Sequence, residues 1–180
     1  MSFDRAQDFV FKWEGGYCND PGDPGGPTNF GVCLRFLKEQ GLSVGDIDHD
    51  GDIDINDIKA LTKEQAKLIM RRAFWCKDFA TMDYEHPLMT LVAYDTAVNM
   101  GLGYAKKLLQ QAIGGLTVDG IWGPKTWAAI AKQQDFRCAL RMIELRRDRY
   151  RYLADRNKNL KQFLKGWLNR ANDLEKEISK

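Results

Sequence analysis

The chain lacks any apolar run approaching the roughly 18 residues that a membrane-spanning helix needs, so no transmembrane segment is expected. Its opening residues, Met1-Ser2-Phe3-Asp4-Arg5, carry charge where a secretory leader is apolar, and no leader is expected either. Cysteine is scarce and scattered: Cys18, Cys33, Cys76 and Cys138 form no Cys-x-x-Cys pair. That spacing argues against a disulfide framework and a zinc site, and makes buried free thiols in a reducing compartment the default expectation. Only His49 and His86 are present to serve a thiol as base, so a nucleophilic Cys18 is the weaker reading of that exposed-looking residue beside Tyr17. No strand pattern of any length occurs, apart from short pieces near a glycine-rich loop, which points to a predominantly α chain.

What is present bounds the rest. A chain of 180 residues, 44% of them apolar, suits one large domain or two small ones with a real core. The net charge of +2 conceals an asymmetry, because residues 137–180 hold 13 of the 27 Lys+Arg but 6 of the 25 Asp+Glu. That end carries +7 and the remainder −5. A basic end favours anionic partners such as nucleic acid, teichoic acid, lipopolysaccharide or acidic membrane, although a solvated helix face is the commoner outcome.

The chain is organised around Trp13-Glu14-Gly15-Gly16-Tyr17 and the loop that follows it. Phe3, Ala6, Phe9, Val10 and Trp13 recur at helical spacing, with Ser2 or Asp4 placed to cap the start. Gly15 and Gly16 stop that helix, which puts Glu14 in its last turn. There the unpaired carbonyls and the neighbouring Trp13 disfavour an ionised carboxylate, the condition a general acid at neutral pH requires. An exposed helix-end glutamate is the plain alternative. Six glycines and prolines between residues 21 and 27 exclude a helix or central strand there. The loop would present Asp20, Asp23, Thr28 and Asn29 to a common cleft beside Glu14.

Glu14-Gly15-Gly16-Tyr17, then Asn19-Asp20-Pro21, then Asp23-Pro24-Gly25-Gly26-x-Thr28-Asn29-Phe30-Gly31 resembles the signature of glycoside hydrolase family 108, phage endolysins and related muramidases. The spacing is also similar to the Glu, Asp, Thr trio of phage lysozymes of the family 24 type, here Glu14, Asp23 and Thr28. The second gap is one residue shorter than in that pattern, so Asp20 and Asp23 both stand as the second carboxylate. The resemblance implies a lysozyme-like helical catalytic domain, with Tyr17 and Asn29 contacting sugar. It also implies an enzyme that needs another route to the wall, such as a holin pore.

A second motif runs from Asp46 to Asp57. In this register Asp46, Asp48 and Asp50 fill positions 1, 3 and 5 of a twelve-residue EF-hand loop. Gly51 makes the sharp turn, Asp52 offers its carbonyl, Ile53 anchors the loop, Asp54 acts through water, and Asp57 replaces the usual bidentate Glu. Starting two residues later would place Lys59 at position 12, so that register fails. So many carboxylates this close repel without a cation, and Ca2+ in a structural role is expected, with no cofactor for the chemistry itself. The shorter aspartate predicts a weaker, more Mg2+-tolerant site. An acidic surface loop without an ion is the alternative.

Beyond it, residues 30–41 read as a helix capped by Gly41, and 55–61 as a short one. Thr62-Lys63-Glu64-Gln65 is a capping box opening a helix that ends near Trp75, a residue expected in the core rather than at sugar. Pro87 is taken as a stop, and Leu88–Met100 as a buried helix on which Asp95 and Asn99 share a face as a satisfied polar pair. Val118-Asp119-Gly120-Ile121-Trp122-Gly123-Pro124-Lys125-Thr126 resembles the peptidoglycan-binding-like repeat. Trp122 and Trp127 are open between sugar stacking and packing. A basic helix follows over residues 136–155, then an amphipathic one in which Phe163, Gly166, Trp167 and Arg170 resemble the ending common in the family.

The expected architecture is therefore a catalytic domain over residues 1–87, carrying the calcium loop at 46–57, and a helical peptidoglycan-binding-like domain over 88–180. The expected activity is hydrolysis of the β-1,4 bond between N-acetylmuramic acid and N-acetylglucosamine, causing bacterial lysis. A lytic transglycosylase, a non-catalytic wall-binding module and a calcium-dependent interaction protein are the alternatives. The partner would be peptidoglycan, with anionic wall polymers or outer-membrane lipid at the basic helices, no nucleic acid, and a monomeric state. The enzyme would wait in the host cytoplasm until lysis and then act in the periplasm and wall.

Overall fold

Phe3, Ala6, Phe9 and Val10, the apolar stripe read from the sequence, are all buried on helix α1, Phe3–Glu14. The computed structural model describes residues 3–19 and 26–180. Contacts divide the chain into two compact units, Gln7–Ala73 on one side and Met1–Ala6 with Phe74–Lys180 on the other, so that α1 contributes to both.

In the smaller unit a hairpin follows the glycine-rich segment, with strand β1 at Thr28–Asn29 and β2 at Val32–Cys33. Thr28 lies opposite Cys33 and Asn29 opposite Val32, which leaves Phe30 and Gly31 as a two-residue turn. Both have positive φ, 49° and 78°, the requirement of the turn type that matches strand twist. This corrects the helix expected from residue 30: a left-handed pair cannot join a right-handed helix, so α2 spans only Leu34–Glu39. Short helix α3, Leu42–Gly45, leads into the acidic loop, and α4, Ile55–Ala60, leaves it. The capping box opens α5, Lys63–Phe74: the Gln65 N–H donates to Thr62 Oγ1 (3.2 Å) and the Thr62 N–H to Gln65 Oε1 (2.9 Å). Val10, Val32, Leu37, Ile58, Ala66 and Met70 are the unit's fully buried apolar residues.

The regular elements of the larger unit are, among its described residues, all helices: α6 (Lys77–Met82), α7 (Pro87–Met100), α8 (Leu102–Ile113), α9 (Pro124–Ile130), α10 (Asp135–Arg156), a 3-10 segment over Lys158–Phe163, and α11 (Leu164–Ile178). Helix α7 is apolar on all sides and buried from Met89 to Ala97, which makes it the central element. Helices α6, α8 and α10 pack on it, and α11 packs on α10. Pro87 opens α7 rather than ending a helix before it, because its missing N–H is one that a first turn leaves unpaired. The next two N–H groups are held by Asp135, whose oxygens accept from Leu88 (2.9 Å) and Met89 (2.8 Å). Trp75 packs edge-on against Phe3 (5.4 Å) and Tyr94 (5.3 Å), in agreement with its assignment to packing.

All four cysteines are free. Only Cys138 is fully buried, and burial pushes its thiol up to about 11; Cys18 is exposed and the other two are half-buried. Among the described residues no helix is long and apolar enough to cross a membrane.

Candidate active site and acidic loop

Helix α1 ends on Glu14, and Gly15 turns left-handed with φ 70°. Glu14 and Trp13 are half-buried. The hairpin turn comes directly against this side chain: a Cβ added at Gly31 would stand 2.7 Å from Met70 Cε and 2.8 Å from Glu14 Cγ. Glycine is required there twice over, by its φ and by the closeness of the glutamate. A second tie is Asn29, only 6% exposed, whose amide donates to the carbonyls of Ile58 (3.0 Å) and Leu61 (3.4 Å) at the end of α4. A third is the exchange of N–H···O bonds between Cys18 and Thr28, both 2.8 Å.

The hairpin thus carries Thr28 next to a pinned turn that touches Glu14. The Thr28 hydroxyl donates to the Gly26 carbonyl (3.1 Å), leaving its oxygen lone pairs to accept. Tyr17 is 45% exposed, placed for an external ligand. Asn29 was expected at sugar; its buried amide instead fastens the hairpin to α4. Asp20 and Asp23 lie outside the described residues. A cavity of about 470 Å³ at the end of α1 is lined by Phe11, Gly15, Gly16, Phe30 and Lys63. The Phe11 and Phe30 rings meet edge-on at 6.2 Å, and Lys63 Nζ sits 5.0 Å from the Phe11 ring centre. Neither Phe30 nor Lys63 is among the site residues expected from the sequence, where Phe30 stands in the motif and Lys63 in the capping box; the signal for Phe30 was its place before Gly31.

The acidic loop brings its aspartates together in two groups. Asp46 accepts from the N–H groups of Asp50 (3.1 Å) and Gly51 (3.2 Å), and Gly51 has φ 97°. Oxygens of Asp46, Asp48 and Asp50 come within 4.8 Å of one another, as do those of Asp52, Asp54 and Asp57. Asp57 is buried and accepts from the N–H groups of Ile47 (2.6 Å), Asp48 (3.4 Å) and Asp54 (2.6 Å). Burial opposes its ionisation, but these backbone donors outweigh burial and hold its carboxyl below the ordinary range. Asp54 caps α4 in return, accepting from Asn56 N. Asp52 and Asp48 are shifted the opposite way. The Asp50 charge pushes Asp52 up, with burial and Asp54 adding to it, while partial desolvation and the Asp50 and Asp57 charges raise Asp48.

In the larger unit the Asp119-Gly120 turn is closed by Gln110, which donates to Asp119 Oδ1 (2.9 Å) and the Ile121 carbonyl (3.0 Å) and accepts from Gly120 N (2.7 Å). The Gln110 amide and the Ile121 N–H hold the Asp119 carboxyl low. Trp122 is buried and donates to the Lys106 carbonyl (3.2 Å), which makes it a packing residue; Trp127, half-buried, meets it edge-on at 5.6 Å. Asp95 is the centre of a buried ionic network. It accepts from Arg170 Nε (3.0 Å) and Nη2 (2.7 Å) and pairs with Arg146 Nη1. Arg146 Nε donates to the Tyr150 hydroxyl (2.7 Å), which donates to Asn99 Oδ1 (2.6 Å). Burial works against the Asp95 charge, and the Arg170 and Arg146 guanidiniums overcome it and hold the carboxyl low. Asp95 is therefore satisfied through α10 and α11, and the Asn99 carbonyl oxygen through Tyr150 on α10, rather than through each other.

The smaller unit thus holds a glutamate at a helix end under a glycine turn, and the larger one is a helical unit with an Asp-Gly turn closed by Gln110, two features met in the sequence as parts of a glycoside hydrolase and a peptidoglycan-binding-like repeat. The comparisons agree. Residues 7–101 match the family described as Glycosyl hydrolase 108, and residues 104–172 the one described as Predicted Peptidoglycan domain. The chain belongs to the glycosyl hydrolase 108 family. A solved structure titled "Structure of Brucella abortus SagA" is 29% identical, superposes with a TM-score of 0.74, and pairs 98% of this chain with 92% of that one. No curated protein matches. The protein is a peptidoglycan-degrading glycoside hydrolase of lysozyme type. The family spans meet between residues 101 and 104, the compact units between 73 and 74, and the boundary expected after residue 87 lies between these positions.

Proposed function

We propose that this enzyme is an N-acetylmuramidase cleaving the β-1,4 bond between N-acetylmuramic acid and N-acetylglucosamine, with Glu14 as general acid. The observation that carries this reading is the half-buried Glu14 at the end of α1, pinned under Gly31. A carboxyl held at one position is what proton transfer to a leaving glycosidic oxygen requires. In this reading Asp23 or Asp20 supplies the second carboxylate, which stabilises the oxocarbenium-like transition state or activates water. Thr28 accepts from that water, Tyr17 lies against a sugar ring, and Asn29 acts indirectly by holding the hairpin. Residues 1–87 form the catalytic part and 88–180 the wall-recognition part.

Ca2+ belongs to the acidic loop as a structural ion with no part in the chemistry. Asp46, Asp48 and Asp50 offer converging hard oxygens, and their mutual repulsion is the kind a divalent ion removes. Asp52 would add its carbonyl, and Asp57 closes the loop from behind. The biological role consistent with this activity is that of a phage endolysin, held in the host cytoplasm until lysis and then released to the periplasm and wall. It would act as a monomer, with anionic wall polymer or outer-membrane lipid at its basic helices and no nucleic acid.

Wall clearing by Glu14→Gln against wild type, with mass spectrometry of the fragments, tests the chemistry. The variant, folded by circular dichroism, should lose about 10²- to 10⁴-fold in rate, and wild type should release reducing-end muropeptides. Anhydro-muramyl ends would make the enzyme a lytic transglycosylase, and an unimpaired variant would remove Glu14 from the mechanism.

A further inference from the structure

The muramidase reading leaves unused a cleft of about 260 Å³ in the larger unit, lined by Asn99, Met100, Tyr104, Arg149, Leu153 and Trp167, with Tyr150 at its back. Helix α10 is rich in arginine, and most of its neighbours there are paired: Arg146 with Asp95, Arg147 with Glu175, Arg151 with Asp148. Arg149 meets no carboxylate among the described residues. Its guanidinium is held instead by two ring faces, 5.6 Å from the Tyr104 centre and 5.5 Å from that of Tyr152, and its Nε is buried with no hydrogen-bond partner. Rings orient a guanidinium without using its donors.

The other polar group facing the cleft has the same sense. Asn99 Oδ1 already accepts from the Tyr150 hydroxyl (2.6 Å), which leaves the Asn99 amide N–H groups to donate. Among the described residues no Asp or Glu lines the cleft. Apart from the Tyr104 hydroxyl, which can donate or accept, its unused polar groups are thus donors, one of them cationic, and beside them lie Met100, Leu153 and Trp167, whose ring is stacked on Tyr150 at 5.1 Å.

We propose that this cleft binds the terminal carboxylate of a peptidoglycan stem peptide, with Arg149 and Asn99 donating to the carboxylate and the apolar wall taking an alanine-sized side chain. The volume suits one small residue and its carboxylate and is too small for a disaccharide carrying its peptide. The apolar wall favours an amino-acid end over the phosphate of a wall polymer, which has nothing to place there. The proposal rests on peptidoglycan being the substrate and does not depend on Glu14.

The test is titration of the whole protein with a synthetic stem pentapeptide ending in D-Ala-D-Ala and with its C-terminal amide, followed by calorimetry and by tryptophan fluorescence. The acid should bind, and the amide at least about tenfold more weakly. Arg149→Ala should lose at least about tenfold and Arg149→Lys less, since a point charge keeps attraction but not the fork. Arg151→Ala, which removes the same charge from the same helix, should bind as wild type does. Equal binding of acid and amide, or wild-type affinity in Arg149→Ala folded by circular dichroism, overturns the proposal. So does displacement of the peptide by a poly(glycerol phosphate) that binds more tightly, which would assign the cleft to phosphate. Failure of the Glu14 reading shows only in hydrolysis, a step the peptide titration does not contain.

Discussion

Asp95 and Asp57 are both fully buried carboxylates, one in each compact unit, and they are kept charged by different means. Asp95 relies on two guanidiniums that arrive from 51 and 75 residues away along the chain, on α10 and α11. Asp57 relies on three backbone N–H groups supplied within ten residues of itself. The larger unit thus balances its interior charge by assembling distant helices. The smaller unit balances its buried carboxylate with local peptide dipoles, while partial desolvation and the Asp50 charge raise Asp48, and the Asp50 charge raises Asp52. A buried charge met by distant cations reports that the whole helical unit has assembled. One met by its own loop reports only that the loop has closed.

The comparison breaks most sharply at Asp95. Asp95→Asn leaves Arg146 and Arg170 buried without a counter-charge, and the larger unit should lose about 3–5 kcal/mol, measured by urea unfolding. Added Ca2+ should not restore it. Loop closure is sharpened by the ion itself. Calcium at about a hundred times its dissociation constant should stabilise the protein by about 2.7 kcal/mol, visible as a rise in unfolding temperature that a chelator reverses. An unfolding temperature indifferent to both would mean that the acidic loop holds no ion. Asp57→Ala removes the acceptor for three N–H groups and should cost about 1–3 kcal/mol while also weakening any calcium-induced shift.

The smallest effect is in pH. Asp95 and Asp57 have depressed values, so their stabilisation is present above the ordinary carboxylate range and is lost as pH falls through their folded values. Asp48 and Asp52 are raised, so their repulsion weakens as pH falls through their higher folded values, before the first two are affected. Calorimetry of the calcium-free protein from pH 7 downwards should show a shallow relief and then a steep loss. A loss with no preceding plateau or relief would contradict the sense of the Asp48 and Asp52 shifts.

Features governed by local chemistry were legible. The end of α1 at Glu14 followed from Gly15, the capping box at Thr62 from Gln65 three residues on, and the sharp turn in the acidic loop from Gly51. Each depends on contacts a few residues apart. The helix expected from residue 30 was misread because Phe30 carries helical-looking apolarity. Its positive φ is tolerated through the strand pairing on either side, which periodicity does not register. Asn29 was read as a sugar ligand from its neighbours in the motif, while its amide is committed to α4 carbonyls some thirty residues away. Arg149 was one basic residue among many in composition. Only the positions of Tyr104 and Tyr152, and the absence of a carboxylate among the described residues around it, separate it from Arg147 and Arg151.

By itself, then, the order of residues determined the helical class, the glutamate at a helix end, the acidic turn and the resemblance that led to family 108. These rest on φ preferences, capping and spacing, which act within a turn or two of chain. Tertiary structure alone decided that Gly31 lies on Glu14, that Asp95 meets Arg146 and Arg170, and that Trp122 packs while Arg149 lies between the Tyr104 and Tyr152 rings. Those outcomes depend on which distant surfaces exclude water together, and burial is a property of the assembled fold that no local pattern encodes.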